Sequence, residues 1–295
     1  MRLISYRAGE RAALGVTAGD RWLPATSVLP DGPATMDELL EAGESAVDSL
    51  RRATDPGRIA RDGAALESIV LLAPVPRPGK VVAIGRNYRE HAEEEGVDPP
   101  PAPLIFSKWP SSVIGPDAEI RWDPAFATQV DYEAELAVVI GRRARRVEED
   151  DALGYVLGYT CLNDVSARDL QFGDGQWARG KSLDTFCPMG PVLVTRDEIP
   201  DPQDLDIECR LDERQVQRAN TAQMYFGVAA IVSYCSQAFS LEPGDVIATG
   251  TPGGVGIFRE PPLLLADGDV VTVEIEGIGR LVNRCRYEYA EVAVR

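Results

Sequence analysis

The sequence predicts an α+β protein with a mixed-sheet core. Segments of strand type, either alternating or short apolar runs, recur along the whole chain, whereas few segments carry helical periodicity. The strands are separated by Gly, Pro and Asp turns such as Gly19-Asp20, Pro243-Gly244-Asp245 and Gly268-Asp269. The chain has 295 residues, 44% of them hydrophobic, enough for one large domain or one domain plus a small one, and it shows no internal repeat.

Residues 1 to about 30 read as short strands with turns at Gly9, Gly19-Asp20 and Pro30-Asp31-Gly32-Pro33. Thr35 and Glu38 have capping-box spacing and open a helix carrying Leu39, Leu40, Val47 and Leu50. Asp55-Pro56-Gly57 breaks it, and a short helix over about 58–66 follows. Nothing here points to chemistry, and residues 1–73 are expected to form a small N-terminal domain. The stiff Pro74-Val75-Pro76-Arg77-Pro78-Gly79 connector leads into the second domain, 74–295.

Residues 80–84 form a strand of buried type. The segment 89–96 is helix-like and puts His91 and Glu94 on one face at i, i+3. Spacing alone favours an exposed acidic turn with an incidental histidine. The functional alternative is an imidazole oriented and made more basic by a carboxylate, as a general base requires. Asp98-Pro99-Pro100-Pro101-Ala102-Pro103 cannot be helix, which makes the preceding turn a candidate lid. A strand over 104–108 and a loop over 111–116 follow.

The stretch 130–141 reads as one strand. Asp131, Glu133, Glu135 and Ala137 share one face; Tyr132, Ala134, Leu136, Val138 and Ile140 share the other. Three acids at alternate positions lie about 7 Å apart at Cα. Their repulsion needs relief from solvent, a shared proton, Arg or Lys partners, or a cation. A solvated edge face is the plain account of such a strand. It loses ground here because the strand runs into an apolar segment and another acid, Asp164, ends the next strand, 155–162. Asp164 is equally placed to cap the helix that follows.

Residues 142–151 form a charged connection. Gly175 to Ser182 matches the phosphate-loop pattern letter for letter, but no buried strand precedes it and Pro188, Gly190 and Pro191 follow too soon for a helix. The match is rejected, and Lys181 stays of interest as a cation in an acidic chain. Strands are expected over 192–195, 205–211, 246–249, 270–275 and 280–287, and a helix over 221–239. Gly250-Thr251-Pro252-Gly253-Gly254-Val255-Gly256 is a glycine-rich loop, suited to close backbone approach to an anion or to a tight turn.

The formal charge is −17, which excludes the basic footprint needed for nucleic acid. The five cysteines are widely spaced without a Cys-x-x-Cys pair, so free thiols in a reducing cytoplasm are expected. No signal-peptide core or membrane-length apolar run is present. With His91 the sole histidine, any metal here must be held by oxygen.

Six motifs in order resemble the fumarylacetoacetate hydrolase family over about residues 75–285. They are Gly85-x-Asn87-Tyr88-x-x-His91-x-x-Glu94, Phe106-x-Lys108, Asp131-x-Glu133-x-Glu135-Leu136, Asn163-Asp164-Val165-x-x-Arg168-Asp169-x-Gln171, Gly180-Lys181-Ser182-x-Asp184-x-Phe186 and Gly250-Thr251-Pro252-x-Gly254-Val255-Gly256. The 176–195 segment is most similar to bacterial members called 2-hydroxyhepta-2,4-diene-1,7-dioate isomerases or diketo-acid hydrolases. The resemblance implies a mostly β roll with a mixed sheet behind a small N-terminal domain, assembled as a homodimer. It implies Glu133, Glu135 and Asp164 as ligands of one divalent cation, and three carboxylates suit Mg²⁺ or Mn²⁺. Asp131 is expected to support Lys181 or a metal-bound water. His91 and Glu94 are implied as a dyad on the lid, Lys181 as the oxyanion partner, and Arg168, Gln171 and Thr251 as contacts to a small anionic 2-oxo acid.

The expected reaction is C–C hydrolysis of a 2,4-dioxo, acylpyruvate-like acid through a stabilised enolate. The alternatives are decarboxylation or isomerisation of oxaloacetate or a 2-hydroxy-dienoate at the same site. An alternative of another class is a non-catalytic metal-binding scaffold.

Overall fold

The computed structural model describes residues 1–289. The fold is α+β with mixed sheets. The larger sheet has twelve strands, and its central path runs Arg2–Ala8, Cys187–Thr195, Val156–Asn163, Ala134–Ile140, Val246–Ala248, Val81–Gly85 and Leu104–Lys108. Most neighbours are antiparallel, but Val246–Ala248 runs parallel to Val81–Gly85. The strands Arg11–Ala18 and Arg21–Pro24 continue the sheet beyond Arg2–Ala8, which pairs Arg2 with Val194. A five-stranded sheet of Arg214–Asn220, Asp206–Leu211, Val270–Ile275, Gly279–Tyr287 and Ile120–Trp122 forms the second layer.

Ala134–Ile140 lies at the centre and is buried on both faces. Leu136, Val138 and Ile140 join Ile207, Val273 and Leu281 of the second sheet in one apolar cluster. Ala137 and Val139 face the other way and join Leu3, Leu14, Leu39 and Leu50 in a second. Each fully buried Leu, Ile or Val contributes roughly 1.5–3 kcal/mol. The alternation expected from the sequence is therefore present, but neither face is solvated.

The run 130–141 is not one strand. Val130–Asp131 pairs with Ser166–Ala167, and Ala134–Ile140 pairs with Val156–Asn163. Side chains take over the hydrogen bonds at the break: Glu133 N donates to Asn163 Oδ1 at 3.0 Å and Ala134 N to Gln217 Oε1 at 2.9 Å. The helix opened at Thr35 also divides. Thr35 Oγ1 accepts from Glu38 N at 3.1 Å, but Gly43 at φ 72° separates Met36–Ala42 from Glu44–Ala53.

The helix expected over 221–239 occupies only Val228–Ala238. Asn87 claims the backbone ahead of it: its Oδ1 accepts from Phe226 N at 2.9 Å, and its Nδ2 donates to Phe226 O at 3.0 Å and Thr249 O at 2.8 Å. Tyr225 therefore precedes the helix. The strand Arg214–Asn220, not expected from the sequence, pairs with Asp206–Leu211. Its Arg-Gln-Val-Gln-Arg core gives little apolar signal. Asn87→Ala should strand one buried and two partly buried backbone groups and lower unfolding free energy by about 2–4 kcal/mol. Guanidinium chloride midpoints would measure this, and a loss below ~0.5 kcal/mol would refute the role of Asn87 as the latch.

Candidate active site

Glu133 and Glu135 come from the break and start of the central strand, and Asp164 from the end of its neighbour. Pairing of Ala134 with Asn163 brings the three together. All are buried, and each offers a carboxylate oxygen within 4.8 Å of the others. Asp164 does not cap the next helix, Arg168–Asp174, whose N-cap is Ala167.

Cations surround the triad on one side. Lys181 Nζ lies 2.7 Å from Glu133 Oε2 and 2.9 Å from Asp164 Oδ2. Arg168 Nη1 lies 2.7 Å from Glu133 Oε1. Lys108 Nζ donates to Asp164 Oδ1 at 2.6 Å and to the carbonyl of Lys181. Sequence reasoning assigned Lys108 no role although it stood in a motif. A signal was available: the chain has three lysines among thirty basic residues, and all three pair with buried acids, Lys80 with Asp245 at 2.6 Å.

Asp131 does not support Lys181. It binds Arg168 Nε and Nη2, both at 2.9 Å, and accepts from Gly256 N at 2.8 Å and Ile257 N at 3.1 Å. It thus orients the arginine and anchors the glycine-rich loop. A Cβ at Gly256 would meet Leu263 O at 2.0 Å and Asp131 Oδ1 at 2.5 Å. Gly256→Ala should accordingly displace the loop and cost about 1–3 kcal/mol as overpacking does. Unchanged thermal unfolding and unchanged turnover in that variant would contradict the anchor.

His91 is buried on the helix Arg89–Glu95, not an exposed incidental residue. Its Nδ1 has no hydrogen-bond partner among the described residues and sits 3.9 Å from Glu94 Oε2. Glu94 Oε1 instead accepts from Gly254 N at 2.7 Å, tying this helix to the glycine-rich loop. His91, Glu133, Glu135, Arg168, Gln171, Lys181 and Thr251 all line one small cavity. Gln171 Oε1 accepts from Arg168 Nη1 at 3.0 Å, and Thr251 Oγ1 accepts from Gln217 Nε2 at 2.8 Å. The phosphate-loop match ends in a single short helix, Ala178–Lys181, which serves to deliver Lys181 to the acids.

The family profile described as fumarylacetoacetate (FAA) hydrolase, C-terminal, matches residues 80–286. The chain belongs to the fumarylacetoacetate hydrolase family. It is 43% identical over 291 residues to the mitochondrial oxaloacetate tautomerase of Xenopus laevis, covering 96% of this chain and 89% of that one. Its fold matches the 2-hydroxyhepta-2,4-diene-1,7-dioate isomerase of Mycobacterium marinum, with a TM-score of 0.74, 35% identity and 98% and 99% of the two chains covered. Maleylpyruvate hydrolase from Sphingobium sp. SYK-6, solved with manganese(II) and pyruvate, matches with a TM-score of 0.80, 29% identity and 97% and 99% covered. No helix among the described residues is long and apolar enough to cross a membrane.

The electrostatics of this family member fit a divalent cation at the triad. Four buried acids, Asp131, Glu133, Glu135 and Asp164, face three buried cations, Lys108, Arg168 and Lys181, so with all of them ionised 3 − 4 leaves one negative charge. Burial raises the Glu133 carboxyl, but Lys181 and then Arg168 more than offset this and hold it below its ordinary value. Among the described residues Glu135 accepts one hydrogen bond, from Gly250 N to its Oε2 at 2.8 Å. Burial first, and then Asp164 and Glu133, push the Glu135 carboxyl well above its usual range. Burial disfavours charge on Lys181, yet Asp164 and Glu133 raise its pKa overall. The donor set is all oxygen, as Mg²⁺ and Mn²⁺ prefer. A divalent ion would bring the balance to +1, which suits an anionic ligand.

Proposed function

We propose that this protein is a divalent-metal-dependent enzyme of 2-oxo acid enol chemistry, and that its reaction is the keto–enol interconversion of oxaloacetate. The observation that carries this reading is a buried carboxylate triad, two of whose members, Glu133 and Glu135, line a cavity with His91 and Lys181. The name of the Xenopus relative supports the choice of substrate. C–C hydrolysis of an acylpyruvate, the first expectation from sequence, becomes the second reading. Glu94 beside His91 favours it, as does the maleylpyruvate hydrolase likeness.

Glu133, Glu135 and Asp164 would hold Mg²⁺ or Mn²⁺. The bound ion supplies Lewis-acid stabilisation of negative charge on the 2-oxo oxygen. The remaining work falls to side chains. Arg168, Gln171 and Thr251 bind and orient the carboxylate and keto oxygens. His91 moves the C3 proton, so that one C–H bond breaks and one O–H bond forms without redox change. Glu94 steadies the charged imidazole, and Lys181 faces the developing negative oxygen.

Metal-stripped protein should not accelerate the enol–keto absorbance change of oxaloacetate, and restored Mg²⁺ or Mn²⁺ should recover it. Pyruvate released from acetylpyruvate would favour hydrolysis instead, and CO₂ from oxaloacetate would favour decarboxylation. Stoichiometric bound metal with no turnover of any of these compounds would favour the metal-binding scaffold. His91→Ala should slow tautomerisation at least ~100-fold. Retention of the wild-type rate would remove His91 from proton transfer. A homodimer belongs to the same proposal, read as a solution mass near twice 32.0 kDa. The five buried free cysteines fit a reducing compartment, cytoplasmic in our reading.

A further inference from the structure

Three cationic side chains line the cavity, and two of them are committed. Arg168 and Lys181 are bound to Asp131, Glu133 and Asp164. Arg86 touches none of these acids. Its Nε is ion-paired with Glu95 of the helix that carries His91, and its guanidinium lies 5.5 Å from the centre of the Trp177 ring. Arg86 is held at φ 56°, in the left-handed region where a non-glycine residue is uncommon. The residue before it cannot carry a side chain: a Cβ at Gly85 would lie 2.5 Å from Trp177 Cζ3. Backbone strain and a forced glycine thus combine to hold one guanidinium at the cavity wall, and strain of this kind concentrates at ligand clamps.

Charge balance gives the clamp a purpose. With a divalent ion, the buried groups sum to +1, so the single carboxylate of a 2-oxo acid neutralises them. A second carboxylate on the same ligand needs a further cation. Arg86 is the cation available, and its planar fork suits bidentate binding of a carboxylate. Glu95, itself largely buried, already sits on it as an internal carboxylate and lines the same cavity.

We infer that Arg86 is the subsite for the distal carboxylate of a dicarboxylic 2-oxo acid, and that Glu95 fills it until such a ligand displaces it. This rests on the oxaloacetate reading and deepens it. It makes Arg86 the residue that separates dicarboxylic substrates from acylpyruvates of the same size. Acetylpyruvate is the matched probe, since a methyl group replaces one carboxylate oxygen of oxaloacetate.

The test compares kcat/KM for the two compounds in Mn²⁺-loaded wild type, Arg86→Gln and Glu95→Gln. Arg86→Gln should lower the oxaloacetate-to-acetylpyruvate ratio at least tenfold. A parallel loss on both compounds, with the ratio changed less than threefold, would overturn the inference and leave Arg86 a general structural residue. Should Arg86→Gln fail to fold, Glu95→Gln decides: a ratio raised at least threefold supports the subsite, and an unchanged or lowered ratio refutes it. Should wild type turn over neither compound, the tautomerase reading fails separately. Calorimetric Kd values for the two compounds, each with the manganese-loaded proteins, then replace kcat/KM under the same thresholds.

Discussion

Glu135→Gln eliminates divalent-cation binding and metal-dependent turnover while leaving the protein folded. Among the described residues Glu135 is the one acid of the triad without a cationic partner, and its bond from Gly250 N at 2.8 Å can be kept by an amide oxygen. Removing one of three carboxylates from an all-oxygen site leaves too little charge to dehydrate a hard ion. We expect at least a ~1,000-fold loss of activity, on the scale of losing several kcal/mol of charge stabilisation. Metal content by mass spectrometry and activity after metal addition measure it. A variant that keeps one metal per chain at wild-type activity would refute the triad.

The same substitution has a pH signature. The folded-state pKa of Glu135 is raised, by burial first and by Asp164 and Glu133 next. In metal-free protein, folding is therefore unpenalised by this group while it is protonated in both states. The penalty grows as pH rises from the ordinary carboxylate value towards the folded-state value. Glu135→Gln is neutral throughout and escapes it. Metal-free Glu135→Gln should thus melt above metal-free wild type at neutral pH, with the gap closing towards pH 4. Added Mn²⁺ should reverse the order by stabilising wild type alone.

Lys181→Met produces the second large effect, with opposite consequences for metal and for rate. Lys181 Nζ lies on Glu133 Oε2 and Asp164 Oδ2, two carboxylates of the triad proposed to hold the metal. Removing the ammonium leaves two buried carboxylates short of charge, which costs about 3–5 kcal/mol in metal-free protein. A divalent ion then meets less competition and less repulsion, so metal affinity rises. Turnover falls at least ~100-fold, because the donor facing the developing oxyanion is gone. Calorimetric metal titration beside steady-state rates separates the two. Weaker metal binding in Lys181→Met would mean that the lysine organises the carboxylates and does not compete with the cation.

The residues at the centre of the site were legible because their positions follow from local rules. Period-2 alternation placed Glu133 and Glu135 on one side of the central strand, and a strand end placed Asp164. The absence of other histidines and of clustered cysteines left oxygen as the only donor type. The order of six motifs identified the family, which the match over 80–286 bears out. His91 shows where local rules fail. Its spacing to Glu94 was readable, but its burial depends on the cavity above a sheet contributed by distant strands.

What tertiary structure decided was the pairing of charges and the hydrogen bonds that end elements. Lys108 reaches Asp164 across 56 positions, and Gly256 reaches Asp131 across 125. Asn163 interrupts the acidic strand at Glu133, 30 positions away, and Asn87 shortens a helix 139 positions downstream. Side-chain periodicity is a property of neighbouring residues and survives in the sequence. A buried charge has no such period: which ammonium meets which carboxylate is settled only when strands far apart in the chain pair. The sequence by itself therefore determined the chemistry available to this protein. The folded sheet decided which acid of the triad, among the described residues, was left without a cationic partner, and with it where a cation is proposed to sit.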